Sequence, residues 1–148
     1  MRVEGDIVIE RPIEDVFDFV ADERNEPRYN PQMTRAEKVS PGPIGLGSKF
    51  NSVMNGVGGR AEMTIEFTEF ERPRRIAEMI HLSSMDIKGE LLFEPVAGGT
   101  RMTWIWDLEP RGVARFLGPL VRHMGERQER TIWTGLKRLL ESQQTNAA

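Results

Sequence analysis

The sequence predicts an α+β fold, in which a curved antiparallel sheet of about six or seven strands wraps one long C-terminal helix. Three observations lead there. The N-terminus alternates polar and apolar residues with period two, and a series of further alternating segments separated by Pro- and Gly-rich turns fills Thr34 to Glu109. Apolar residues then recur at helical spacing from Val113 to Leu140.

At 148 residues the chain matches a single domain able to bury one real core. It contains no cysteine, which excludes disulfides, thiolate nucleophiles and cysteine-metal sites. The net charge is −3, with basic and acidic residues interleaved through Glu69 to Glu78 and Arg122 to Arg130, so nucleic acid is not an expected partner. No apolar run has the length of a membrane span, so no stable membrane insertion is expected. The opening residues lack the pattern of a signal peptide, and a cytoplasmic location is the expectation.

Val3, Gly5, Ile7 and Ile9 share one face of a half-buried strand over Arg2 to Glu10. Pro12, followed by Glu14 and Asp15, suits a helix start, and Ile13, Val16, Phe17 and Val20 share a face. Asn25, Pro27, Asn30 and Pro31 leave room for one helical turn around Glu26 to Tyr29. A weak strand over Thr34 to Val39 leads into the loop beginning Ser40-Pro-Gly-Pro. Strands are expected at Lys49 to Met54, Arg60 to Phe70, Arg75 to Leu82, Met85 to Glu94 and Thr100 to Glu109, with turns at Asn55 to Gly59, Arg72 to Arg74 and Gly98-Gly99. Beyond Pro110 the helical spacing holds to Glu141, with Gly118-Pro119 expected to kink the helix or restart it. Gln143 to Ala148 is expected to fray.

Three stretches resemble the START-related, Bet v 1-like superfamily. Ile9-Glu-Arg-Pro-Ile-Glu-Asp-Val-Phe-Asp-Phe-Val-Ala-Asp is similar to the family's opening, where a strand ends and Pro starts a helix carrying a Val-Phe pair. Phe67-Thr-Glu-Phe-Glu-Arg-Pro-Arg-Arg-Ile-Ala resembles its strand-turn-strand passage, and Gly98-Gly-Thr-Arg-Met-Thr-Trp the hairpin into its last strand. The terminal helix with Leu136-Lys-Arg-Leu-Leu-Glu completes the likeness, and the polyketide cyclase/dehydrase-like group is the branch it resembles. The resemblance implies a helix-grip fold over residues 1–148 and an apolar ligand, without implying a reaction.

The residues themselves suggest where such a ligand would sit. Periodicity places Gln128 and Thr131 on the apolar stripe of the long helix with Gly125 at its flank, so small or polar groups face the sheet there. An unpaired buried polar group costs about 1–3 kcal/mol, so Gln128 needs a partner, a water or a ligand. A backbone carbonyl at a wet sheet edge would serve equally. On the sheet, Trp104 and Trp106 share a face with Met102 and Leu108, and Met85 and Ile87 share one with Leu91 and Phe93. With Phe50, Met63, Ile65 and Phe67 from the preceding strands and Leu120 and Met124 from the helix, they form the expected ligand-binding set. Ordinary core packing explains any one of them alone.

Other chemistry has less support. His81 and His123 are the two histidines, without carboxylates or cysteines at metal-ligand spacing, so no metal is expected. His81 is the candidate proton-transfer group. Glu66 and Glu78 would point inward only if the strand register slipped by one, and a solvated face is expected for both. Arg28 and Tyr29, beside the Pro-broken helical turn, are candidates for a pocket mouth, with an exposed loop the expected setting. The Gly-rich loops lack a following helix and the Gly-Lys-Ser/Thr ending, and no serine sits in a Gly-x-Ser-x-Gly elbow. No cofactor is expected. The favoured reading is a module that binds or carries a lipid, quinone or polyketide-like aromatic in an internal cavity between the sheet and the C-terminal helix. The alternatives are a cyclase or dehydratase using the same cavity, and a protein-interaction module.

Overall fold

In the computed structural model, which describes residues 1–56 and 59–147, β1 (Arg2–Ile9) runs into α1 (Ile13–Ala21) and a 3₁₀ segment (Glu23–Arg28). Six strands follow: β2 (Met33–Lys38), β3 (Lys49–Gly56), β4 (Gly59–Glu71), β5 (Arg75–His81), β6 (Met85–Val96) and β7 (Gly99–Pro110). A second 3₁₀ segment (Gly112–Phe116) precedes α2 (Gly118–Ala147). The seven strands form one antiparallel sheet in the order β1-β7-β6-β5-β4-β3-β2, so the chain's first strand pairs with its last. The apex of the expected turn at Asn55 to Gly59 lies outside the described residues.

Local chemistry sets these boundaries. Pro12 stands just outside α1, where its fixed φ and missing N–H are tolerated, and Val16, Phe17, Val20 and Ala21 bury one face. Phe17 packs edge-on against Phe70 and Phe93, with ring centroids at 5.3 and 5.1 Å. Gly118-Pro119 restarts the helix, as one of the two expected outcomes has it. α2 continues to Ala147, past Glu141 where the apolar spacing ends and through residues expected to fray.

Two findings correct the sequence reading. Apolar spacing places the start of the helix against the sheet, but Val113, Phe116, Leu117, Leu120 and Met124 are all exposed. After the restart at Gly118, the inward face of α2 carries Gly125, Glu129, Ile132, Trp133, Leu136 and Leu140, while Leu117, Leu120 and Met124 fall on its flank. Glu78, expected in solvent, is 3% exposed. No register slip is involved: Ile76, Glu78 and Ile80 alternate inward along β5, as the pleat requires.

The helix is tied along the edge strand β1. Arg130 donates to the Asp6 carbonyl at 3.0 Å, Lys137 to that of Val8 at 2.8 Å, and Arg11 to the Leu140 carbonyl at 2.7 Å. The bonds to Asp6 and Val8 satisfy edge carbonyls that would otherwise invite another strand. Across the sheet, Val3, Trp106, Gly89, Glu78 and Phe67 form one row of paired positions. Gly89 lets the Trp106 ring lie flat over the strand, since a Cβ there would stand 2.6 Å from that ring and 2.0 Å from the Ile105 carbonyl oxygen. Substitution G89A is expected to lower unfolding stability by about 1–3 kcal/mol through overpacking. Urea denaturation measures this, and an unchanged midpoint contradicts the close approach.

Candidate functional site

The interior between sheet and helix holds a group of carboxyls. Glu78 comes from the sheet, Glu23 and Glu26 from the 3₁₀ segment, and Glu129 from α2. Glu23 is 5% exposed, whereas Glu26 and Glu129 are half-buried as residues with their carboxyl groups inside. Asp22 starts the 3₁₀ segment by accepting from the Arg24 amide, which turns Glu23 inward after α1. Gly135 lets α2 approach that segment, because a Cβ would stand 2.5 Å from the Tyr29 carbonyl oxygen.

Glu129 is the best-satisfied member. Its Oε2 accepts from the indole Nε1 of Trp106 at 2.9 Å and of Trp133 at 2.7 Å, joining helix to sheet. Burial still raises its pKa, against the lowering by these two donors. Glu26 accepts from Asn30 Nδ2 at 3.0 Å, yet desolvation lifts it to about 7. Glu78 is lifted to about 8, first by desolvation and then by the charge of Glu26. Among the described residues its Oε1 meets no donor, and neither does Ser52 Oγ on the same concave face. Glu23 is raised well above the ordinary carboxyl value, by desolvation and then by the charge of Glu78. At neutral pH the group therefore holds protons. Tyr29 is buried beside it and stays a neutral phenol, its pKa raised by desolvation and then by Glu26.

A cleft of about 380 Å³ opens next to this group. Asn30 and Gln32 form one wall, and Met124, Gln128, Thr131 and Ile132 of α2 the other. Asn30 thus faces the cleft while holding Glu26 behind it. Among the described residues no three His, Cys, Asp or Glu are grouped to hold a metal ion.

Of the expected ligand-binding residues, Met124 and Gln128 line the cleft. Phe50, Ile65, Phe67, Trp104 and Trp106 are buried in the core on the concave face, with Met63, Met85 and Ile87 half-buried against it. Leu120 is 53% exposed on the helix flank and outside the cleft. His81 is exposed on the outer face, where its Nδ1 lies 2.8 Å from Asp86 Oδ1, so it has no access to the interior group. Tyr29, expected in an exposed loop, is 6% exposed, whereas Arg28 stays at the surface over the Phe19 ring.

Sequence reasoning missed Glu23, Glu26, Glu129 and Trp133. Glu129 and Trp133 could have been found, because they stand one and two turns after Gly125 on the inward helix face. Glu23 and Glu26 lie among prolines and asparagines that carry no periodicity.

An open antiparallel sheet whose first strand pairs with its last, wrapped around one long C-terminal helix, defines the helix-grip class shared by START-related and Bet v 1-like proteins. The family described as "Polyketide cyclase / dehydrase and lipid transport" matches residues 1–141, and the chain belongs to it. Solved structures agree in fold. TTHA0849 from Thermus thermophilus superposes with TM-score 0.81 at 19% identity, covering 93% of this chain and 95% of that one. A START superfamily protein from Mycobacterium smegmatis gives 0.83 at 14%, covering 95% and 97%. Ara h 8.0201 gives 0.75 at 15%, covering 96% and 98%. A search of curated proteins finds no match.

The carboxyls make stability depend on pH with a definite sign. They hold protons in the folded state that the unfolded chain releases above its ordinary value of 4.5. The native state therefore binds more protons, and stability falls as pH rises through that range. Their contribution is full below 4.5 and is lost as Glu26 and Glu78 ionise at about 7 and about 8. Urea unfolding across this range is expected to show a decline of a few kcal/mol, roughly the scale of 1.4 kcal/mol per pKa unit. The E78Q variant should flatten it, and a parent protein more stable at pH 8 than at pH 5 contradicts the assignment.

Proposed function

We propose that the protein binds and carries an apolar small molecule, of the lipid, quinone or polyketide-like aromatic class, at the cleft between α2 and the Asn30–Gln32 segment. The observation that carries this reading is the cleft's composition. Its walls set Met124 and Ile132 against Asn30, Gln32 and Gln128, so apolar surface is combined with a few polar groups able to fix one end of a ligand. Met124 is unbranched and adaptable, which suits ligands of varied outline. Membership of a family described by both cyclase and lipid-transport activities supports the ligand class.

A second reading, a cyclase or dehydratase, is favoured by the carboxyls behind Asn30. Dehydration of a β-hydroxy ketone needs a base to take the proton α to the carbonyl and an acid to protonate the departing hydroxyl, which leaves as water. A carboxylate and a carboxylic acid side by side match those needs, since Glu26 and Glu78 change state at about 7 and about 8.

The experiment fills the cleft. Thr131 is exposed in its wall, so T131W adds bulk there without touching the core. Binding of 1-anilinonaphthalene-8-sulfonate, followed by fluorescence, is expected to weaken at least about tenfold in T131W with the fold retained by circular dichroism. Equal binding by parent and variant contradicts the cleft as the site. Turnover of a β-hydroxy ketone lost in E78Q, with probe binding intact, would establish the second reading.

A further inference from the structure

The start of α2 and the 3₁₀ segment before it carry an apolar surface that the fold leaves open. Val113 and Phe116 are 76% and 74% exposed, Leu117 and Leu120 47% and 53%, and Met124 41%. Leu117, Leu120 and Met124 follow helical spacing along one flank, and Met124 also belongs to the cleft wall. Scattered apolar residues on a surface are ordinary, but a contiguous group is not.

The charge over the same stretch has one sign. From Pro110 to Gly125 the sequence has Arg111, Arg115, Arg122 and His123 and no Asp or Glu, in a chain of net charge −3. Arg111 is bound to Asp86 and to the Leu82 carbonyl, fixing the segment to the sheet. Arg115 lies over the Phe116 ring at 4.9 Å, so cation and apolar ring project together. Arg122 has a side chain 62% exposed and bonds Glu126 one turn along, beyond the acid-free stretch. Apolar side chains beside exposed arginines are the composition of an interfacial helix, whose apolar side enters the acyl boundary while its cations meet lipid phosphates. Arg111 and Arg122 are paired within the chain, to Asp86 and Glu126, so Arg115, held over the exposed Phe116 ring, is the cation this face offers to a lipid phosphate.

We propose that the surface formed by Val113, Phe116, Leu117 and Leu120 docks on an anionic lipid bilayer, with Arg115 among the phosphates. Docking brings the adjoining cleft, through Met124, to the membrane surface. The docking itself stands on the patch alone. Only its use for ligand exchange rests on the binding reading above.

The test sediments the full chain with vesicles of phosphatidylcholine alone and of phosphatidylcholine mixed with phosphatidylglycerol, at low and high salt. The chain is expected to pellet with the mixed vesicles and be released by high salt, because the attraction is screened. F116S and R115E should each cut the bound fraction about tenfold. Both side chains project from the surface, so their thermal midpoints should match the parent. The proposal is overturned by no vesicle binding, by binding indifferent to phosphatidylglycerol, or by variants that bind like the parent. A concentration-dependent dimer abolished by F116S would also overturn it, assigning the face to a second copy. Vesicle binding by a protein whose cleft takes no apolar probe would support docking and contradict the cleft reading instead.

Discussion

The tie between Glu129 and the two indoles of Trp106 and Trp133 organises the interior. One oxygen of a half-buried glutamate receives a donor from the middle of β7 and another from its own helix, so the height and rotation of α2 over the sheet are fixed at that point. The arrangement depends in turn on Gly89, over which the Trp106 ring lies, and on Gly135, where the helix meets Tyr29. Hydrophobic burial supplies most of the favourable free energy of such a core but is non-directional, and charge-assisted bonds of this kind select one packing from several.

The same constraint accounts for the unusual carboxyls. With α2 held in place, Glu23, Glu26 and Glu78 are enclosed between the 3₁₀ segment, the helix and the concave sheet, and the groups that set their proton affinities are carboxyls and the Asn30 amide rather than cations. Charging all of them in so small a space costs more than keeping them protonated, so they share protons and stand as weak acids near neutral pH. A cluster of this kind reduces stability at high pH. Asn30 is the link outward, with one side toward the cleft and its amide on Glu26.

The fold was legible almost throughout, because it rests on periodicity and turn chemistry. The alternation in β1 and β4, the Pro before α1 and the Gly-Pro restart of α2 each had a local cause that the structure keeps. The site was less legible. Glu78 follows the same alternation as Ile76 and Ile80, yet general hydrophilicity argued for solvent and local pattern for the core, and pattern prevailed. Leu120 failed for the converse reason: apolar spacing identified a helix face, but nothing in sequence says where a helix outruns the sheet it packs on. Glu23 and Glu26 sit in a segment shaped by Asp22 and Pro27, where tertiary packing alone decides which side chains turn inward.

The central claim, an interior that holds protons on its carboxyls at neutral pH, is tested most directly by ¹³C NMR titration of the protein with labelled glutamate side chains. Carboxyl resonances with midpoints at about 7 and about 8 are expected, belonging to the group that contains Glu26 and Glu78. Titration of every glutamate near the ordinary value of 4.5 would contradict it.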